Sequence, residues 1–289
     1  WEMSKIYTDD GPVRYFIGDV RDKDRLYRAL DGIDYVVHAA ALKIVPTAEY
    51  NPFEYIKTNI IGTMNLIDAC IDRNIKRVVA LSTDKASSPV NLYGATKMAA
   101  DKLISAGNVY SGEKETKFAN VRYGNVMGSR GSVIPFFIEQ KDLGKIPITD
   151  VRMTRFMITL DEAVKLVWKA FDDMEGGETY VKKIPSMKVT DIAHAIAKDA
   201  AHQIIGIRPG EKLHEQMISK DESNYTYEYD DYYKILPTVN DWAKSEERIK
   251  SGKKVEEGFS YSSSDNKEWM SIEMLQDWIE NNKDKIGKI

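Results

Sequence analysis

Tyr93 and Lys97 stand four residues apart in a segment that reads as a helix from Tyr93 to about Ala106. That spacing stacks a phenol and an ammonium on one helix face. A neighbouring cation stabilises a phenolate, so the pair predicts a general base able to take a proton from an alcohol near neutral pH. Just upstream, the apolar run Arg77 to Leu81 reads as a strand that ends in the hydroxyls of Ser82 and Thr83. A hydroxyl there can orient the same alcohol, because α/β folds bind ligands at the carboxyl ends of parallel strands. Asp84 and Lys85 follow at once, placing an acid and a base within reach of one substrate, each tuned by the other and by partial burial. Taken singly, the Tyr-x-x-x-Lys spacing is also that of a solvated helix face, and Asp84-Lys85 that of a weak surface charge pair. The strand end and the parallel-sheet setting favour chemistry.

The elements that must hold these groups alternate along the chain. Val13 to Ile17 reads as a buried strand, and Lys23 to Leu30 as a short helix. Asp34 to Ala39 is the next strand, and it runs into three alanines. Asn51-Pro52-Phe53-Glu54 carries a helix-start signature: a capping Asn, Pro in the first helical position and Glu three residues after the cap. That helix continues to about Asp72 and is interrupted by the polar Asn59. Phe118 to Tyr123 is another strand. Strands and helices joined by short connections predict a parallel, doubly wound α/β sheet, with right-handed crossovers placing Tyr93, Asn125 and the alanines on one carboxyl edge.

From Gly131 the pattern is less regular. Ile134 to Leu143 reads as a helix, Thr159 caps another ending near Met174, Thr190 caps a third, and Ser271 opens a last one to about Asn282. Tyr225 to Tyr229 alternates as an extended segment. These pieces predict a smaller C-terminal region that shares the crevice. Its arginines, Arg130, Arg155 and Arg208, are candidates for binding a pyrophosphate, which guanidinium groups hold bidentately.

Composition narrows the class. A chain of 289 residues with 43% hydrophobic and 30% charged residues is ordinary for a soluble globular protein. A formal charge of −4 gives no reason to expect nucleic-acid binding. The single cysteine, Cys70, excludes an internal disulfide and fits a small buried hydrophobe in a reducing, cytoplasmic setting. Histidines 38, 194, 202 and 214 lack partners at metal-ligand spacing, so no metal is expected. No apolar run is long enough to span a membrane.

Three stretches of the sequence resemble the extended short-chain dehydrogenase/reductase family: Ser82-Thr83-Asp84-Lys85, Asn91-Leu92-Tyr93-Gly94-Ala95-Thr96-Lys97 and Arg122-Tyr123-Gly124-Asn125-Val126. More narrowly, Ala39 to Pro46, Gly128-Ser129-Arg130-Gly131-Ser132-Val133 and Ile207 to Glu215 resemble the inverting UDP-N-acetylglucosamine 4,6-dehydratases of pseudaminic-acid biosynthesis. The resemblance implies a partial NADP-binding Rossmann domain over residues 1–130, interleaved with a substrate-binding region over 131–289. It implies that Asp19 and Val20 face the adenine, that Ala39, Ala40 and Ala41 face the ribose and phosphates, and that Val126 also lines the NADP site. In the family's pattern Asn59 supports Lys97 through water. Thr83, Asp84, Lys85, Tyr93 and Lys97 become the catalytic set. Lys43, Asn125, Arg130, Gly131, Ser132, Val133, Arg155, Arg208 and Tyr261 become the contacts to UDP-N-acetylglucosamine. A homo-oligomer is expected, since related enzymes associate.

One departure stands out. The family opens with a strand, a glycine-rich turn and a helix that hold the cofactor pyrophosphate on backbone N–H groups. No Gly-x-Gly-x-x-Gly occurs before Val13, the chain opens Trp1-Glu2-Met3, and the first βαβ unit of the family is expected to be absent. Two rival readings follow: a sugar-nucleotide 4-epimerase, which has no use for Asp84-Lys85, and a non-catalytic nucleotide-binding fragment.

Overall fold

The structure is a computed structural model that describes residues 3–7, 12–239 and 242–288. Its main sheet contains β1 (Tyr35–His38), β2 (Arg77–Leu81), β3 (Lys117–Arg122), β4 (Thr179–Lys182), β5 (Thr226–Glu228), β6 (Tyr232–Ile235) and β7 (Lys253–Lys254). The spatial order is β1-β2-β3-β4-β6-β5-β7. The first four strands are parallel, with Val78 opposite Phe118 and Val121 opposite Tyr180; the last three join antiparallel. Strands from both sides of residue 130 therefore share one sheet.

The described helices include α1 (Lys23–Ala29), α2 (Gly62–Asp72), α3 (Leu92–Tyr110), α4 (Val133–Gln140), α5 (Leu160–Asp173), α6 (Val189–Ile196) and α7 (Ile272–Asn281). Both faces of β2 are covered, which is why Val78, Val79 and Ala80 form an unbroken apolar run. On one face Val78, Ala80 and Phe118 pack with Leu66, Ile67 and Cys70 of α2 and Ile104 of α3. On the other, Val79, Ala119 and Val121 meet Leu166, Val167, Ala170 and Phe171 of α5. Thr159 starts α5 with a complete capping box: its hydroxyl accepts from the Glu162 N–H while the Glu162 carboxylate accepts from the Thr159 N–H. A separate core joins α4, α6 and α7 around Ile134, Phe137, Ile146, Met153 and Met187.

Three sequence expectations are corrected. Val13 to Ile17 forms no strand; the segment is extended and Ile17 is 95% exposed. A strand needs a ladder partner, and here the Ile17 carbonyl accepts from Arg25 Nε while the Arg25 guanidinium lies over Phe16. Asn51 does sit at a helix start, yet its amide donates to the Thr47 carbonyl of a preceding helical turn, Val45–Tyr50, and makes no cap bond. Thr190 lies inside α6, whose N-cap position is Lys188. The segment from Pro52 to Asp72 is continuous, but Ile56–Ile61 winds as π-helix around Asn59, a distortion often found at functional sites.

Candidate active site

Asn91 fixes the start of α3: its side-chain oxygen accepts from the Gly94 N–H at 2.7 Å. Its amide donates to the Gly210 carbonyl at 2.7 Å, tying the Arg208-Pro209-Gly210-Glu211 turn to the same helix end. Gly94 is required by close approach, because a Cβ there would lie 2.3 Å from the Lys85 carbonyl oxygen. The first turn of α3 therefore rests directly on the loop after β2.

Within that loop Thr83 caps a short 3₁₀ turn, Asp84–Ala86, and its hydroxyl donates to Asp84 Oδ1 at 2.9 Å. Tyr93 is buried, and the Thr83 side chain is among the groups that favour its ionised form. Ser82 turns away and donates to Asp101 Oδ2 at 2.6 Å, so Thr83 is the hydroxyl beside the phenol. Lys97 is buried, and its ammonium donates to the Leu81 carbonyl at 2.8 Å. This revises the expected Tyr93–Lys97 pairing. Burial holds the Tyr93 phenol up at about 12, and the opposing influences are the Lys85 charge and the Thr83 hydrogen bond. Burial also lowers the Lys97 amine, against the pull of Asp101.

Asp84 is 1% exposed, and Lys85 Nζ lies 3.0 Å from its Oδ1. A third group joins them: Glu215, 2% exposed, places Oε1 3.3 Å from Lys85 Nζ and 3.8 Å from Arg155 Nε. Burial raises the Asp84 carboxyl; Lys85 opposes the shift and the Glu215 charge adds to it. Burial works against the Lys85 charge, but the two carboxylates outweigh it and raise that amine well above its ordinary value. Glu215 is pushed up by burial and pulled further down by Lys85 and Arg155. The sequence marks Glu215 only by its place at the end of Arg208-Pro209-Gly210-Glu211-Lys212-Leu213-His214-Glu215, and assigns it no role.

Beyond this cluster opens a cavity of about 390 Å³, lined by Asn125, Gly131, Ser132, Val133, Arg155, Arg208 and Glu211 among others. Six of the residues expected to touch substrate are thus brought together. Asn125 Oδ1, Ser132 Oγ and Glu211 Oε2 are buried without a hydrogen-bond partner, which leaves acceptors and a hydroxyl for a polar ligand. Arg208 is half-exposed and lies 3.8 Å from Glu211. Arg155 is more committed, donating to the carbonyls of Thr154, Leu213 and Lys212. Lys43 comes near the cluster, where burial and the Lys85 charge lower its amine.

Other expected contacts fall elsewhere. Tyr261 is in the core against Phe156 and Tyr233; its hydroxyl donates to the Ile184 carbonyl and accepts from the Ile184 N–H, both at 2.9 Å. Arg130 is exposed and donates to the Gly287 carbonyl. Asn59 is buried and clamps Leu42, accepting from its N–H at 2.9 Å and donating to its carbonyl at 3.0 Å, with a further bond to Thr96. It fixes the loop after β1 to α3 by direct contacts. Ala39, Ala40 and Ala41 lie exposed at the end of β1. Val126 forms part of a two-residue strand, Asn125–Val126, paired with Met157 and Ile158. Asp19 is exposed, and Arg21 holds its carboxyl down at about 2. Val20 packs on Gly62 of α2, and its carbonyl accepts from Asn65. Among the described residues no three His, Cys, Asp or Glu groups gather as a metal site, and no helix is long and apolar enough to cross a membrane.

A tyrosine, a lysine and a strand-end hydroxyl on the carboxyl edge of a parallel sheet covered on both faces define a Rossmann-type short-chain dehydrogenase/reductase of the extended kind. Residues 3–237 match the family described as polysaccharide biosynthesis protein, and the chain belongs to that family. It is 54% identical over 287 residues to the UDP-N-acetylglucosamine 4,6-dehydratase (inverting) of Campylobacter jejuni, covering 96% of this chain and 85% of the relative. The UDP-glucose 4-epimerase of Rickettsia conorii is 39% identical over 88% of this chain and 76% of its own length. Among solved structures, Pen from Bacillus thuringiensis superposes with a TM-score of 0.86 at 39% identity, covering 97% of this chain and 86% of that one.

Proposed function

We propose that the chain is a UDP-N-acetylglucosamine 4,6-dehydratase that inverts C5. The observation that carries this reading is the ion pair of the buried Asp84 with the partly exposed Lys85, beside Tyr93. An epimerase that acts at C4 alone needs the tyrosine and has no task for a second acid and base, although a 4-epimerase is also among the relatives. The match to an inverting dehydratase over nearly the whole chain supports the same choice.

In this reading Tyr93, oriented by Thr83, takes the proton of the sugar 4-hydroxyl as C4 becomes a ketone. The ketone acidifies the C5 proton, and Lys85 removes it. Asp84, whose carboxyl burial raises from its usual range, delivers a proton to the departing 6-hydroxyl, which leaves as water. Lys85 then returns a proton to C5 from the opposite face. The product is a UDP-4-keto-6-deoxy sugar of inverted C5 configuration, suited to bacterial surface-glycan synthesis. Lys43, Asn125, Gly131, Ser132, Val133, Arg155 and Arg208 would hold the nucleotide sugar, and the unpartnered polar atoms of the cavity fit that role.

The family uses a nicotinamide cofactor, and we assign NADP. The residues present fit it: short, exposed alanine side chains leave the backbone open at the end of β1, next to the end of β2 where Lys97 holds the Leu81 carbonyl. Tyr93, Lys97, Asn59, Ala39 to Ala41, Val126, Asp19 and Val20 would line it. When bound, the cofactor supplies the oxidant for C4 and returns the same hydride at C6. We further assign a homo-oligomer working in the cytoplasm, and a division into a Rossmann part to residue 130 and a substrate-binding part beyond it.

The test is proton NMR of UDP-N-acetylglucosamine in deuterated water with NADP. No Gly-x-Gly-x-x-Gly occurs in the sequence, so the assay compares this chain alone with the same chain fused behind a glycine-rich βαβ unit. A C5-deuterated 4-keto product is expected, and Lys85→Ala is expected to abolish C5 exchange. Cofactor binding without either product or exchange in both forms would overturn the dehydratase and leave a binding module; exchange undiminished in Lys85→Ala would remove Lys85 from its role.

A further inference from the structure

Lys85 is held by two carboxylates, and the proposed reaction gives a task to only one. Glu215 approaches from a different part of the chain, is 2% exposed, and sets Oε1 3.3 Å from Lys85 Nζ. Its Oε2, like Asp84 Oδ2, is buried without a hydrogen-bond partner. Its backbone is fixed as well: the Glu215 N–H donates to Ser263 Oγ at 2.9 Å, and its carbonyl accepts the Ser263 N–H at 2.8 Å. A buried carboxylate with one oxygen unpartnered is costly to keep for stability alone.

We propose that Glu215 is a positioning residue of the acid–base pair, holding the Lys85 amine against Asp84 and fixing the proton content of the cluster. This deepens the dehydratase reading and rests on it. Two carboxylates close together cannot both ionise freely, so one of them keeps a proton. With Glu215 anchored by Arg155 as well as Lys85, Asp84 is the carboxyl left to hold the proton that elimination needs. After Lys85 takes the C5 proton, the Glu215 charge stabilises the resulting ammonium, which is the form that must give a proton back to C5. The charged and titratable groups facing the cluster are Arg155, Lys212, Lys43 and Tyr93. Arg155 and Lys212 stabilise Glu215 as an anion, and Lys212 also faces Asp84, so the effect of Glu215 on Asp84 is exerted against that cation.

The consequence is directional. Removing the Glu215 charge makes Asp84 easier to ionise and Lys85 easier to deprotonate, so both limbs of the pH profile move to lower pH. A shift of about one pH unit corresponds to a roughly tenfold rate loss on the alkaline limb. The test measures 4-keto product formation and C5 deuterium exchange against pH for the active wild-type form, Glu215→Gln and Glu215→Asp. Glu215→Gln is expected to displace both limbs downward. Glu215→Asp, which draws the carboxylate back from Lys85, is expected to displace them in the same direction by less. If Glu215→Gln unfolds in the accompanying thermal melts, Glu215→Asp carries the test. A lower rate with unmoved limbs in the folded variants would overturn the proposal and reduce Glu215 to packing. Failure of the wild type to make product at any pH would instead overturn the dehydratase reading itself.

Discussion

Replacing Gly94 by alanine tests whether the contact between α3 and the Asp84–Lys85 loop sets the geometry of the site. The added Cβ would stand 2.3 Å from the Lys85 carbonyl oxygen and 3.0 Å from Pro89 Cβ, whereas ordinary contact begins at 3.4 Å. The nearest obstacle is backbone, so no rotamer change relieves it, and helix and loop must part by about 1 Å at an overpacking cost of about 1–3 kcal/mol. That cost lowers the melting temperature by roughly 2–12 °C. The displacement acts between Tyr93, which immediately precedes Gly94, and Lys85, which bears the obstructing carbonyl. A 1 Å misplacement of reacting groups costs about 10²-fold in rate, so turnover should fall far more than stability. Gly107→Ala, in the same helix, is the control: its Cβ would come nearest to the Phe118 ring, at 3.1 Å, away from the loop. It should leave turnover unchanged. The assay pairs thermal melts with NMR-monitored product formation. A Gly94→Ala protein that turns over within about twofold of wild type would refute the reasoning that this contact sets the distance between base and acid–base pair.

Arg122→Met should be severely destabilising. Arg122 is buried between Asp101 at 3.4 Å and Glu222 at 2.9 Å, and removing it strands two carboxylates at a cost of about 3–5 kcal/mol, read from the urea unfolding midpoint. Acid stability should depend on Asp173, whose carboxyl accepts from Lys234 at 2.5 Å and Lys250 at 2.8 Å. Despite burial, the hydrogen bonds from Lys234, Lys250 and Tyr180 hold it down at about 2 against an ordinary 3.8. Because the folded value is depressed, this stabilisation is present above pH 3.8 and is lost as pH falls toward about 2. Melting temperatures across that window should drop less steeply for Asp173→Asn than for the wild type; equal slopes would exclude Asp173 as a source of the acid sensitivity.

Much of the fold was legible because its signals are local. The buried run Arg77 to Leu81 is bounded by polar residues, and Thr159 with Glu162 closes a cap within one turn. Asp84, Lys85, Thr83 and Tyr93 lie within a dozen positions of one another, so one strand–loop–helix unit brings them together. What failed depended on partners that local pattern does not contain. Val13 to Ile17 has the composition of a strand, but a strand is a pairing, and here the backbone finds an arginine instead. Tyr261 matched a substrate-contacting position, yet the Ile184 backbone takes both of its hydroxyl bonds. Glu215 ends a matched stretch, but its role lies in Lys85, far back in the chain, and that pairing cannot be read from its own neighbours.

The Tyr93–Lys97 spacing shows the limit from the other side. Four residues guarantee a shared helix face and do not guarantee contact. Lys97 is committed to the Leu81 carbonyl, and the cation that most lowers the Tyr93 phenol is Lys85. The two bases assigned to successive steps are therefore coupled. While Lys85 holds its proton, its charge helps Tyr93 give up the phenol proton, which favours attack on the 4-hydroxyl. Once Lys85 is to act as a base it must be neutral, and that support is withdrawn. The same charge that helps the first step must leave before the second, and the Asp84–Glu215 pair is where the proton content of that exchange is set.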